Sequence, residues 1–286
     1  MRKPKVNTSK IAEESHGLIK EFSNRTKLTK KTIRQQIIDQ SVTANKDGYV
    51  ADIKDNLVST ILIDDFIDDL NNGNGNELKS KFKALYSSSA LCVNFFGVFK
   101  RHLTKFFVLG ESDFAVGKFE KKLPTGLKGT SPNLDFYLEN DNCLIGIESK
   151  FLELLTPKQP KFSSSYSDIF LDNLDNGLPK IVNHYRTNNA KTYLDTAQLI
   201  KHSIGILNNK DGRRAKLVYV YWEPSYASDF YEYSQHKKEL TDFADRIKIV
   251  SGISFHHFTY SDFFNLFSND SFFKQHLSYF KNRYLL

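Results

Sequence analysis

The stretch that most limits how this chain can fold runs from Ser131 to Glu153, SPNLDFYLENDNCLIGIESKFLE. Leu134, Phe136 and Leu138 alternate with Asp135, Tyr137 and Glu139, the two-residue period of a strand with one face inward. Asn140, Asp141 and Asn142 are turn formers. Cys143–Phe151 then reads as a mostly apolar run suited to a buried central strand. Glu148 and Lys150 interrupt that run two residues apart, so their side chains share a face. Charges in such a strand are costly unless they are paired or bind something.

Hairpin geometry tests whether the two acids can meet. Pairing Asn140 with Cys143 around a two-residue loop puts Asp135 directly opposite Glu148, where Cβ atoms lie roughly 5 Å apart. A register one residue away sets Asp135 against Ile147 and spoils both the acid pair and the core. The apolar pattern and the acids therefore select one register. Carboxylates that close repel, which raises at least one pKa unless a cation lies between them. Hard oxygen donors select Mg²⁺ or Mn²⁺, and no Cys/His set has zinc spacing. With Lys150 beside them to stabilise negative charge, these residues form a hydrolytic site for phosphodiesters. The plainer alternative is a buried ion pair of Lys150 with one acid.

Composition bounds the rest. With 286 residues, 40% hydrophobic and 14% aromatic, the chain has ample material for a packed core and is not of the disordered class. No apolar run is long enough to cross a bilayer, and the N-terminus lacks the apolar stretch of a secretory signal, so no membrane association and a cytoplasmic location are expected. Cys92 and Cys143 both sit in apolar patterns and read as buried free thiols. Residues 1–34 hold ten basic and three acidic residues, which accounts for the whole net charge of +7. A basic arm on a neutral body suits a polyanionic partner; a solvated terminus is the alternative.

Periodicity places the other elements. Thr29–Gln40 and Asn56–Leu70 read as amphipathic helices, the second ending in Asp64, Asp65, Asp68 and Asp69, a solvated acidic face without the glycine of a calcium loop. The Asn71–Asn76 run is the best internal boundary, dividing a helical N-terminal region (1–72) from a larger domain (73–286). Glu77–Phe107 reads as mainly helical, Phe114–Leu123 as a strand, and residues 154–189 as an irregular surface insert that is a candidate binding loop. A helix over Thr192–Leu207, a strand over Ala215–Glu223, a helix over Asp229–Ile249, a strand over Phe255–Tyr260 and a helical end complete an α/β fold. Its mixed sheet is flanked by helices.

The pattern Asp135, a gap of twelve residues, then Glu148-Ser149-Lys150 resembles the PD-(D/E)XK nuclease superfamily. The segments GNELKSKFKALYSSSALCVNFFG, FEKKLPTGLKGTSPNLDFYLE, IGIESKF, YLDTAQLIKH and VYVYWEP are similar to its bacterial restriction-endonuclease-like branch, over roughly residues 73–286. The resemblance implies a restriction-endonuclease-like αβββαβ core, an Mg²⁺-dependent deoxyribonuclease, and DNA as partner. It makes Asp135 and Glu148 metal ligands, adds the backbone carbonyl of Ser149, and gives Lys150 the role of activating water or stabilising charge. Asn133 departs from the short form of the motif, which has an acid there. Gln198 resembles a supporting helix glutamine, with a simple exposed position as the alternative. Glu77 and Glu120 are candidates for a further acid, against helix capping for Glu77 and pairing with Lys121 or Lys122 for Glu120. His202 reads as structural, His256 and His257 as lacking a third ligand, and Trp222-Glu223-Pro224 as core and turn. Restriction or defence is the expected setting, and cutting of two strands would call for a homodimer. The rivals are a non-catalytic DNA-binding protein of the same fold, and an exonuclease or junction resolvase.

Overall fold

The computed structural model describes residues 25, 27–73, 78, 81–127, 131–167, 177–188 and 190–284. Five strands form one sheet in the order β1-β2-β3-β4-β5: Val116–Lys122, Asn133–Glu139, Cys143–Lys150, Arg214–Tyr221 and Ser254–Thr259. The first three are antiparallel neighbours, and β4 and β5 run parallel to β3. This is the expected α/β architecture, a mixed sheet with helices on both faces and the restriction-endonuclease-like order of elements.

The hairpin register matches the one the apolar pattern selects. Phe136 pairs with Ile147, Tyr137 with Gly146 and Leu138 with Ile145. β3 is buried from Cys143 to Ser149, as its apolar run requires. Its alternate side chains meet different helices. On one face lies helix α3 (Ser88–Arg101), whose Phe96 stacks on Phe136 at 4.7 Å. On the other lies α5 (Thr196–Asn209); a Cβ on Gly146 would come within 2.7 Å of Ile206 there. Ser87 caps α3 by accepting the Ala90 N–H at 3.2 Å.

The helix expected over Thr29–Gln40 is present as α1 (27–39), with Ile33 fully buried in the core. The region 56–70 is not one helix. It forms 3-10 turns at Ile53–Asn56 and Ile63–Asp65 and a short α2 (Ile67–Asn71). Side chains there take the amides that a helix would use: Val58 N–H donates to Asn94 and Leu62 N–H to Asp65, each at 2.8 Å. Its acids are not a uniformly solvated face either, since Asp65 is buried against Arg101 and Asp69 accepts from Lys100. Of the region read as mainly helical, Glu77–Phe107, helix α3 occupies only the middle, with 3-10 turns at Lys81–Lys83 and Leu103–Lys105 on either side. Residues 74–77, which include Glu77 and the end of the glycine-asparagine run, lie outside the described residues.

Within the insert, Leu178–Thr187 is a helix, α4, where an irregular chain was expected. Pro179 stands in its first turn, where no intrahelical N–H bond is missed. The chain closes with α6 (Tyr231–Ile247), α7 (Tyr260–Asn265) and α8 (Lys274–Tyr284). Phe95, fully buried on α3, lies 4.9–5.6 Å from Phe280, Tyr260 and Phe263 of α8 and α7, so these helices share α3's side of the sheet.

Candidate active site

The β2–β3 ladder stops at Phe136 and Ile147, one step before the two acids. In that register the Ser149 N–H would next meet Leu134; it donates instead to Asp135 Oδ2 at 2.6 Å. Asp135 therefore ends the ladder with its side chain. A residue's N–H and C=O point to the same edge of a strand, so the Ser149 carbonyl also faces this opening. The Ser149 hydroxyl, on the α3 side, contacts the Tyr260 hydroxyl at 2.8 Å.

On the α5 face Glu148 is 1% exposed. Lys150 Nζ donates to its Oε1, and the same ammonium donates to Gln198 Oε1 at 3.1 Å. His202 Nε2 lies 2.8 Å from Glu148 Oε2, within ion-pair distance. Gln198 and His202 are four residues apart on α5 and so lie on one helix face. Asp195 anchors the start of that helix by accepting the Gln198 N–H at 3.1 Å.

β1 adds Glu120. Phe119 pairs with Phe136 and Lys121 with Leu134, and the step between them, Glu120 against Asp135, is missing from the ladder. Glu120 has φ of 50°, the left-handed region, in the middle of a strand. Its carboxylate accepts from Asn133 Nδ2 at 2.7 Å.

The charges of this cluster oppose one another. Burial pushes the Asp135 carboxyl well above its usual range, and the Glu148 and Glu120 charges add to that rise. Lys150 and the Ser149 N–H only partly offset them. For Glu148 burial acts in the same upward sense, but Lys150 and His202 outweigh it and bring the carboxyl down to about 2. Burial lowers the Lys150 ammonium, yet Glu148 and then Asp135 raise it above its ordinary value. Beneath the acids Cys92 is fully buried, its thiol raised by burial and then by the charge of Asp135; Cys143 is buried too, and both are free. Neither has the exposed, electropositive setting of a reactive thiol.

The structure thus brings Asp135, Glu148, Lys150, Gln198 and Glu120 together. Two residues were missed. His202 touches Glu148 directly, which its spacing of four from Gln198 could have indicated. Asn133, read only as a departure from a motif, holds Glu120. Trp222 is core, with its indole N–H on the Tyr284 carbonyl, and His256 contacts Ser254. Among the described residues no three His, Cys, Asp or Glu side chains converge as a ready metal cage. The donors available are two carboxylates and one main-chain carbonyl. Such a set fits a hard cation that keeps water or substrate oxygens as its remaining ligands. The destabilised Asp135 carboxylate is the group that a cation would satisfy first.

A family model described as "Restriction Endonuclease associating with ARP" matches residues 23–285. Comparison with curated proteins and with solved structures found no match.

Proposed function

Because the chain belongs to the family described as Restriction Endonuclease associating with ARP, we propose that it is a divalent-metal-dependent endonuclease hydrolysing DNA phosphodiester bonds. The observation that carries this reading is the meeting of Asp135, Glu148 and Lys150 where the β2–β3 ladder opens. Asp135, Glu148 and the Ser149 carbonyl would hold Mg²⁺, with Mn²⁺ as a second metal of the same class. Bound there, the ion would neutralise phosphate charge and polarise a phosphoryl oxygen. Lys150 then stabilises the negative charge that builds as water adds to phosphorus and the P–O bond to the sugar breaks. Gln198 fixes the ammonium and His202 fixes the Glu148 carboxylate, so both are positioning residues. Glu120, held by Asn133, keeps additional negative charge beside Asp135 and strengthens the demand for a cation.

One observation favours a second reading, a DNA-binding protein that keeps the fold without cleaving. The Lys150 ammonium already neutralises Glu148, as a purely structural ion pair would. Cleavage of plasmid and linear DNA with Mg²⁺ or Mn²⁺ decides between them. Asp135→Ala and Lys150→Ala are expected to abolish cutting while binding survives; cutting that persists at the wild-type rate in both variants would sink the assignment. His202→Ala should lower kcat more than it changes KM, and His202→Gln should restore part of it. Plasmid cutting without free ends separates an endonuclease from an exonuclease of the same chemistry.

A further inference from the structure

An open groove of about 890 Å³ lies between the loop 159–167 and helices α4 and α5. Lys161, Arg186 and Lys201 line it, together with the hydroxyls of Ser163 and Ser164 and the ring of Phe162. No acid is among the described residues that line it. Lys161 and Lys201 also have no ion-pair or hydrogen-bond partner among the described residues. The loop is a built wall. Lys158 and Thr192 exchange backbone hydrogen bonds at 2.7 and 2.8 Å, and Pro157 and Pro160 restrict the chain around them. Arg186 ties the loop to α4 through the Tyr166 carbonyl, and Phe162 packs edge-on to Tyr166 at 5.5 Å.

The groove and the catalytic cluster share helix α5. Lys201 follows Gln198 by three residues on α5, about 4.5 Å further along the helix axis, and Gln198 bonds Lys150. Cations, hydroxyl donors and an aromatic ring without acids are the chemistry that holds a nucleic-acid strand. Resting on the nuclease reading above, we propose that this groove binds the sugar-phosphate backbone of the DNA strand beside the bond being cut. Lys161 and Lys201 contact phosphates, and the serines donate to phosphate oxygens.

Fluorescence anisotropy with a labelled DNA duplex and chelator present, over a series of salt concentrations, tests this. The double variant Lys161→Ala/Lys201→Ala should bind roughly tenfold more weakly at moderate salt. The slope of log K against log salt should shrink by about two, since each phosphate that a lysine neutralises adds roughly 0.9 to it. Lys248→Ala, whose lysine pairs with Asp245 on the surface, is the control and should bind like wild type. Wild-type affinity and slope in the double variant, or an equal weakening in the control, would overturn the groove alone and leave the nuclease reading standing. Absence of DNA binding by the wild-type protein, with chelator and with Ca²⁺ alike, would overturn both.

Discussion

Asp135 carries a destabilised charge: burial raises its pKa first, and Glu148 and Glu120 raise it further. Its folded pKa thus stands above the unfolded value of about 3.9. The stabilisation from holding its proton is complete below that value and is lost as pH rises through the folded pKa. At neutral pH an ionised Asp135 opposes folding. Asp135→Asn keeps an oxygen for the Ser149 N–H and removes the charge, so it should raise the thermal unfolding midpoint at pH 7. That gain should shrink toward pH 4, and cleavage should be lost. Glu148 behaves oppositely. Its pKa is depressed to about 2, so its contribution is present above roughly 4.3 and fades as pH falls toward 2. Glu148→Gln leaves Lys150 part-buried without its counter-charge and should destabilise, by roughly 3–5 kcal/mol if the pair behaves as a fully buried one. Unfolding midpoints of the two variants that move in the same direction at pH 7 would refute this account.

At the scale of elements, α5 decides where Gln198 and His202 stand, and it packs closely on Leu123, just past the end of β1. A Cβ on Gly205 would lie 2.9 Å from the Leu123 carbonyl oxygen. Helix propensity alone favours Gly205→Ala by about 1 kcal/mol. Overpacking against backbone costs about 1–3 kcal/mol, and the contact cannot be relieved by turning a side chain. The clash wins, so Gly205→Ala should lower stability and displace the α5 residues from Lys150 and Glu148. Chemical denaturation reads the sign directly. Strand positions were legible because their pattern is local, with apolar alternation in β2 and an apolar run in β3. The turns at 53–65 were not. Leu57, Ile61 and Phe66 imitate a helical stripe, while Asn94 and Asp65 take the amides that would have closed it.

For the whole molecule, the described residues share one apolar core that runs from Ile33 in α1 through the Phe95, Phe96 and Phe99 cluster to Tyr284. α1 also reaches α6, where Thr29 donates to Glu232 at 3.2 Å, and residues 49 and 84 form a β-bridge. Ile33→Ala should therefore destabilise the molecule as a whole by roughly 2–5 kcal/mol, in a single shifted transition. A separate early transition in calorimetry would show instead that residues 1–72 form a unit of their own.

The sequence by itself determined the β2–β3 hairpin, its register and the acid–acid–lysine set, because β-structure and hairpin pairing follow rules of spacing two that are written locally in residues 131–153. Tertiary structure alone decided what surrounds that set. His202 reaches Glu148 from a helix more than fifty residues later, and Asn133 turns to Glu120 across a neighbouring strand. It also decided that the ladder ends on the Asp135 side chain, and that Lys161, Arg186 and Lys201 line one groove. These are contacts between distant segments. Packing selects them, and the local pattern of any one segment carries no record of its partner.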